Sequence, residues 1–549
     1  MKVHNPILRG FFPDPSVCRV GNSFYLVNSS FSYFPGLPVS RSTDLVHWTQ
    51  IGNAVDRTEQ LDFSGAGISR GLFAPCIRFY DGMFYIVCTQ VDKLGNFIIS
   101  AEAPAGPWSK PVRICDEAGR CADGIDPSLF FDDDGTAWYV GTHGKKGGGK
   151  FPGDNEIYIR RIDVQRGLLS GETYVLWDGA LKNCIWAEGP HLYKKDGWYY
   201  LLIAEGGTGA NHAVTAARSK ILTNGYEGMP GNPLITHRHF GRSTDIVNVG
   251  HADLFDDANG SWYMVLLASR PYGDSGNREG ERVVNMGRET FLVPVSWEDD
   301  WPVAAPGAGK IEDTFELSET SSGIVAVGYG TDCSTQLPVP SCIHFTADTL
   351  PAGWLTLRKP LFSLTERSGY LRLYTCGESL RTTGNVSFAG RRQCDMSYTF
   401  SCCMEFKPEN EYEEAGIVLL QSENFQYRFA VGRAGTDIVI RVIMASGAGR
   451  SDTVIAENRF DAALSGFVLA VHADKQRLSF FSGKNMYHLH PVCSGVDARI
   501  LSTDRAGGFV GTILGVYASG KAAVENCTGY ADFSWVEYDP SEINNALYE

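Results

Sequence analysis

The chain has 549 residues, 43% hydrophobic and 20% charged, with 61 glycines and 25 prolines, which suits two or three turn-rich globular domains and excludes disorder, collagen-like repeats and coiled coils. Its formal charge of −15, from 48 Lys plus Arg against 63 Asp plus Glu, would repel nucleic acid and anionic membrane surfaces. Apolar runs such as 323–327 and 467–471 fall far short of the roughly 20 residues that span a bilayer.

The N-terminus carries neither an apolar h-region nor a small-residue cleavage site, so the sequence reads as cytoplasmic. The 14 cysteines include no Cys-x-x-Cys pair and are expected to be free, mostly buried thiols. The dominant signal is a five-fold repeat: a glycine turn followed by aromatic residues and an apolar strand. It occurs as Gly21-Asn-Ser-Phe-Tyr-Leu-Val27, Gly82-Met-Phe-Tyr-Ile-Val87, Gly135-Thr-Ala-Trp-Tyr-Val140, Gly197-Trp-Tyr-Tyr-Leu-Leu202 and Gly260-Ser-Trp-Tyr-Met-Val265. A β-prone run precedes each glycine, so each unit opens with a hairpin. Intervals of 61, 53, 62 and 63 residues between the glycines accommodate four strands apiece, which predicts a five-bladed β-propeller over residues 1–305. The aromatic pairs are expected to pack between blades. Trp301–Gly309 reads as a linker, and the short alternating strands of 312–549 predict a β-sandwich accessory domain of concanavalin or jelly-roll type.

The innermost strand of each blade lines the central channel, so residues at the strand starts converge. These starts read Phe12-Pro-Asp14-Pro-Ser16, Phe73-Ala-Pro-Cys76, Gly124-Ile-Asp126-Pro-Ser128, Trp186-Ala-Glu188-Gly-Pro-His191 and Val249-Gly-His251-Ala-Asp253. One Asp-Pro alone is a common turn initiator. Three carboxylates at one repeat phase are different, because their mutual repulsion drives their pKa values apart. Glycoside hydrolysis needs two such carboxyls: one protonates the leaving oxygen, and a second activates water or attacks the anomeric carbon; a third close to the donor would be expected to hold its pKa up and steer it.

At these residues the chain resembles glycoside hydrolase family 43, of the β-xylosidase and α-L-arabinofuranosidase type with a C-terminal β-sandwich. The resemblance rests on Asn5 through Ser16, Tyr33-Phe-Pro-Gly-Leu-Pro38, Gly124-Ile-Asp126-Pro-Ser128, Ala187-Glu188-Gly-Pro-His-Leu-Tyr193 and Gly287-Arg288-Glu-Thr290, and in the second domain on Arg391-Arg-Gln393, Ala415-Gly-Ile417 and Gly508-Phe-Val-Gly-Thr512. It implies an exo-acting, inverting hydrolase that releases terminal β-D-xylose, α-L-arabinofuranose or both from short oligosaccharides. Asp14 would be the general base, Glu188 the general acid and Asp126 the residue that tunes and orients the acid. The resemblance also implies that Arg288 binds sugar hydroxyls, Phe31 and Phe73 wall the terminal-sugar subsite, Thr208 lies near the acid, and Phe509 reaches from the sandwich to close the pocket. No cofactor is required. A calcium ion in the channel is an option, with His251 as its contact through water. A homo-oligomer, dimer or tetramer, is the default expectation. Two departures stand out: Phe73 where many relatives carry Trp, and the glycine-rich loop 141–150 where aromatic sugar contacts are expected.

Other motifs weigh less. Gly144-Lys-Lys-Gly-Gly-Gly-Lys150 approaches a phosphate-binding loop, but Phe151 replaces the needed Ser or Thr. His237-Arg-His239 reads as a polar loop rather than a metal site, and Asp44 with Trp48 as a blade-end turn. Two rival functions are a retaining, fructan-type propeller glycosidase, disfavoured because Phe-Pro-Asp14-Pro stands where an Asn-Asp-Pro motif is expected, and a non-catalytic carbohydrate-binding propeller, disfavoured because all three acids are present.

Overall fold

The five repeat glycines all sit at positive φ, between 59° and 87°, a conformation that costs glycine little and other residues much. Each therefore turns the chain back on itself, and the flanking runs pair as antiparallel hairpins, for example Cys18 opposite Tyr25 and Phe130 opposite Trp138. The computed structural model describes every residue except 182, 242–243, 258, 275–280, 321–322, 330–340, 376–377, 461–464, 522–526 and 541–549.

Five sheets follow in order, with inner strands Ser16–Val20, Cys76–Tyr80, Ser128–Phe131, Glu188–Lys195 and Val247–Asp256. Each blade has four antiparallel strands, and the third adds the short parallel strand Cys115–Asp116 at its outer edge. The repeat aromatics reach every joint between blades: Tyr25 on Phe84, Tyr85 on Phe131 at 5.9 Å, Phe130 on Tyr199, Tyr200 on Trp297, and Phe24 on Phe255. Polar groups clasp the axis. Asp253, fully buried, accepts from Ser16, the Val17 amide, Arg78 and Tyr193, which ties blades one, two, four and five.

Three sequence expectations need correction. Trp301–Ala304 is the outer strand of the fifth blade rather than the start of a linker, because it pairs with Glu289–Glu298. The hairpin of Thr314–Thr320 and Gly323–Tyr329 belongs to neither sandwich sheet; it pairs with Lys2–His4, and Phe315 and Leu317 pack onto the propeller beside Val3 and Val17. The thiols are not all free: Cys115 and Cys121 form a disulfide, since a tight turn at Asp116–Gly119 brings the two segments side by side. The other described cysteines are free thiols.

Residues after 340 form two sheets packed face to face, one of eight strands and one of seven that an eighth from the propeller completes, with Phe400, Met404, Ile417, Leu469 and Phe533 in the core between them. The propeller joins one of these sheets directly. Tyr33–Phe34, from the first blade, pairs with Trp354–Leu357 as an edge strand. Around this strand Phe11, Phe31, Tyr33 and Ile68 of the propeller share a core with Leu355, Phe388, Val418, Val510 and Tyr517 of the sandwich. Burial at this seam contributes on the order of 25 cal/mol per Å² of apolar surface. Among the described residues, no helix is long and apolar enough to cross a membrane.

Candidate active site

The inner strands begin with a shared backbone kink. Asp14 and Asp126 each stand two residues ahead of their strands at φ of 51° and 54°, and Trp186 and His251 adopt the same left-handed conformation at 55° and 49°. Non-glycine residues pay roughly 1–2 kcal/mol for this conformation, so it persists only where the surrounding structure enforces it. The kinks turn the side chains toward a cavity of about 440 Å³, within the range of small-molecule sites. Asp14, Phe31, Phe73, Asp126, Glu188, Thr208, His251, Arg288 and Phe509, separated by up to 495 residues (509 minus 14), all line it.

The carboxyls differ in their surroundings. Asp14 is buried, yet its Oδ1 accepts from Arg288 Nη1 at 2.8 Å and its Oδ2 from the Ser29 hydroxyl at 2.5 Å. Burial alone would raise its pKa; the Arg288 charge, His251 and the Ser29 hydrogen bond outweigh this and hold it below the ordinary carboxylate value. Glu188 has no such support. Burial and the Asp14 charge push it up to about 8, against the opposing pull of Arg288. Asp126 is also pushed well up, by burial and by the charges of Glu188 and Asp14. One cavity therefore holds an ionised carboxylate and a protonated carboxyl at neutral pH, the division of labour that acid/base catalysis requires.

Arg288 organises the site. Nη1 also donates to Thr208 Oγ1 at 3.1 Å, Nη2 donates to the Phe509 carbonyl at 3.1 Å, and Nε is buried without a partner among the described residues. Phe31, Phe73 and Phe509 form an aromatic wall with centroids 5.2–6.0 Å apart. Burial holds His251 below its ordinary pKa, so it stays neutral. A calcium ion, which takes six to eight oxygens, would have to draw them mainly from water here. The channel carboxylate Asp253 is already saturated by Arg78, Ser16, Tyr193 and a backbone amide, and among the described residues no group of three or more His, Cys, Asp or Glu is placed to hold a metal ion.

Four residues of the site escaped the sequence reading. Ser29 has no motif around it. Asn155 lies on the cavity wall at the start of an outer strand. His212 is buried; its Nδ1 pairs with the Asn248 carbonyl at 3.1 Å, which places the proton there and leaves Nε2 an unpartnered acceptor among the described residues. Burial lowers its pKa to about 3. Trp186 was legible in principle, because it stands two residues ahead of the strand that begins at Glu188, as Asp14 and Asp126 do before theirs.

The motifs set aside behave as structure. Gly144–Lys150 is a hairpin loop whose Lys145 pairs with Asp154 and Asp178. Both ring nitrogens of His237 are used, by the Ile246 carbonyl and the Ile311 amide. Asp44 accepts from the Val46 and His47 amides, closing a turn.

Comparison with known proteins agrees with this geometry. Residues 3–302 match the family model described as glycosyl hydrolases family 43, and residues 342–539 match the β-xylosidase C-terminal concanavalin A-like domain. A xylosidase/arabinosidase of Butyrivibrio fibrisolvens is 42% identical over 97% of this chain and 98% of its own. A non-reducing-end α-L-arabinofuranosidase of Bacteroides ovatus is 33% identical over 97% and 94%. The crystal structure of a xylan β-1,4-xylosidase from Bacillus halodurans superposes with a TM-score of 0.85 at 30% identity, covering 98% of this chain and 100% of that one.

Proposed function

We propose that this chain, which belongs to glycosyl hydrolases family 43, is an exo-acting pentosidase that releases terminal β-D-xylose, α-L-arabinofuranose or both by single displacement with inversion. The observation that carries the proposal is the opposed protonation of Asp14 and Glu188 in one cavity.

Glu188, protonated at neutral pH, donates its proton to the departing glycosidic oxygen. Asp14, ionised, takes a proton from the water that attacks the anomeric carbon from the opposite face. Each Asp14 oxygen accepts one hydrogen bond from the protein, which leaves lone-pair capacity for that water. Arg288 holds Asp14 in place and, lining the cavity, faces the sugar hydroxyls. Asp126 and Glu188 titrate as a pair, and Asp126 steers the acid while keeping its proton. The Phe31, Phe73 and Phe509 wall closes the terminal-sugar end, and a cavity closed in this way accepts chain ends.

Relatives named for xylosidase and for arabinofuranosidase activity support a pentose. Hydrolysis of nitrophenyl β-D-xylopyranoside and nitrophenyl α-L-arabinofuranoside, beside an Asp14→Ala control, tests the reading. Release of either pentose by the wild type, lost in the variant, is expected; release of neither defeats it.

A further inference from the structure

Trp186 is a large ring with no structural duty that would explain its place. It lines the catalytic cavity yet is 45% exposed. Cations occupy some other partly exposed tryptophans: Arg218 lies over Trp198 and Trp301, and Lys195 over Trp297. Among the described residues no cation lies over Trp186, so it is available to a ligand.

The backbone holds this ring in place. The Trp186 amide donates to the Gly153 carbonyl at 2.7 Å, and the Gly206 amide donates to the Ile185 carbonyl at 2.9 Å. Upstream, the buried Glu205 carboxylate accepts from the Ala180 and Leu181 amides at 3.2 and 3.3 Å. Two glycines make room for the indole. A Cβ at Gly153 would lie 2.8 Å from Nε1, and one at Gly207 would lie 2.6 Å from Cε3 and Cζ3. Real side chains do not tolerate such approaches, so substitution at either position would displace the ring. Gly153 lies just beyond the glycine-rich 141–150 loop, where the sequence reading expects aromatic sugar contacts.

We propose that Trp186 is the platform on which the leaving-group sugar stacks, and that it sets a preference for a sugar over a ringless leaving group. The inference deepens the pentosidase reading and rests on it. Glu188 must reach the departing oxygen, so the departing ring lies on the acid's side of the cavity. Trp186 is two residues from Glu188, is held by backbone bonds on both flanks and presents an uncovered aromatic surface. The C–H face of a sugar is the apolar surface that such a ring recognises, and pre-organisation keeps the entropic cost of that contact low.

The test compares wild type, Trp186→Ala and Trp186→Phe on two substrates with the same terminal pentose, a disaccharide and a trifluoroethyl glycoside, whose leaving group has no ring. For Trp186→Ala the proposal expects a loss of roughly three- to tenfold in kcat/KM on the disaccharide, mostly through KM, and less than about twofold on the trifluoroethyl glycoside. Trp186→Phe should retain most of the disaccharide activity. Activity on the trifluoroethyl glycoside shows that each variant is folded. Equal losses on both substrates, or no loss on either, would overturn the proposal. Wild-type protein inert on both would defeat the pentosidase reading itself, and this inference with it.

Discussion

The Arg288 guanidinium donates to the backbone carbonyl of Phe509 at 3.1 Å, so the sandwich domain holds the arginine that keeps the propeller's Asp14 ionised. Beside this bond the two domains meet glycine to glycine: a Cβ on Gly287, at φ 75°, would lie 2.7 Å from the Gly511 amide, and one on Gly511 would lie 2.3 Å from the Met286 carbonyl. The sandwich is therefore part of the site.

Gly511→Ala should push the 508–511 segment off Met286 and loosen the Arg288 contact. A displacement of about 1 Å at a catalytic contact costs on the order of a hundredfold, so kcat/KM should fall by about that factor while circular dichroism remains that of the wild type. Unchanged kinetics would show that the Arg288–Phe509 contact has no catalytic weight.

Asp14→Ala and Glu188→Ala should each lower kcat by about a hundred- to ten-thousandfold. The two losses should differ in kind. A nitrophenolate departs with little protonation, so Glu188→Ala should be less impaired on nitrophenyl glycosides than on disaccharides. Asp14→Ala, which loses water activation, should be impaired alike on both.

The pH profile of kcat/KM should be a bell. Activity requires Asp14 ionised, so it falls as pH drops through a pKa held below the ordinary carboxylate value. It also requires Glu188 protonated, so it falls as pH rises through about 8. Asp126, itself pushed well above the ordinary carboxylate value, is uncharged while Glu188 titrates, so Asp126→Asn should slow turnover and leave the alkaline limb near 8.

Ser29→Ala removes one of the bonds that favour ionised Asp14. The acid limb should move to higher pH and the alkaline limb should stay in place. Movement of both limbs would mean that Ser29 acts through the whole cavity.

Glu188→Gln should be more stable than wild type at alkaline pH. A carboxyl whose pKa rises from 4.5 to about 8 on folding binds its proton more tightly in the native state, so wild-type stability declines as pH rises across that interval. The gap in Tm between variant and wild type should open between pH 4.5 and 8 and be complete above it.

The propeller was legible because its signals are local and repeated: the glycine turns recur at φ 59–87°, and the aromatic strands reach every blade joint. The acids were legible because one repeat phase maps to one place on the axis. Ser29 and His212 were not, since their roles depend on side-chain contacts that leave no periodic trace. Trp301–Ala304 looked like a linker because Pro and Gly dominate the stretch, yet as an outer strand it tolerates Pro302. The Cys115–Cys121 bond depends on a turn at Asp116–Gly119 that cysteine spacing alone does not reveal.

The most direct test of the account is proton NMR of the pentose released in the first seconds of hydrolysis, before mutarotation. If Asp14 activates water while Glu188 protonates the leaving oxygen, a β-D-xyloside yields α-D-xylose first, or an α-L-arabinofuranoside yields the β anomer. Release of the anomer with the substrate's own configuration would mean a covalent intermediate and would contradict the assignment of Asp14 as a base.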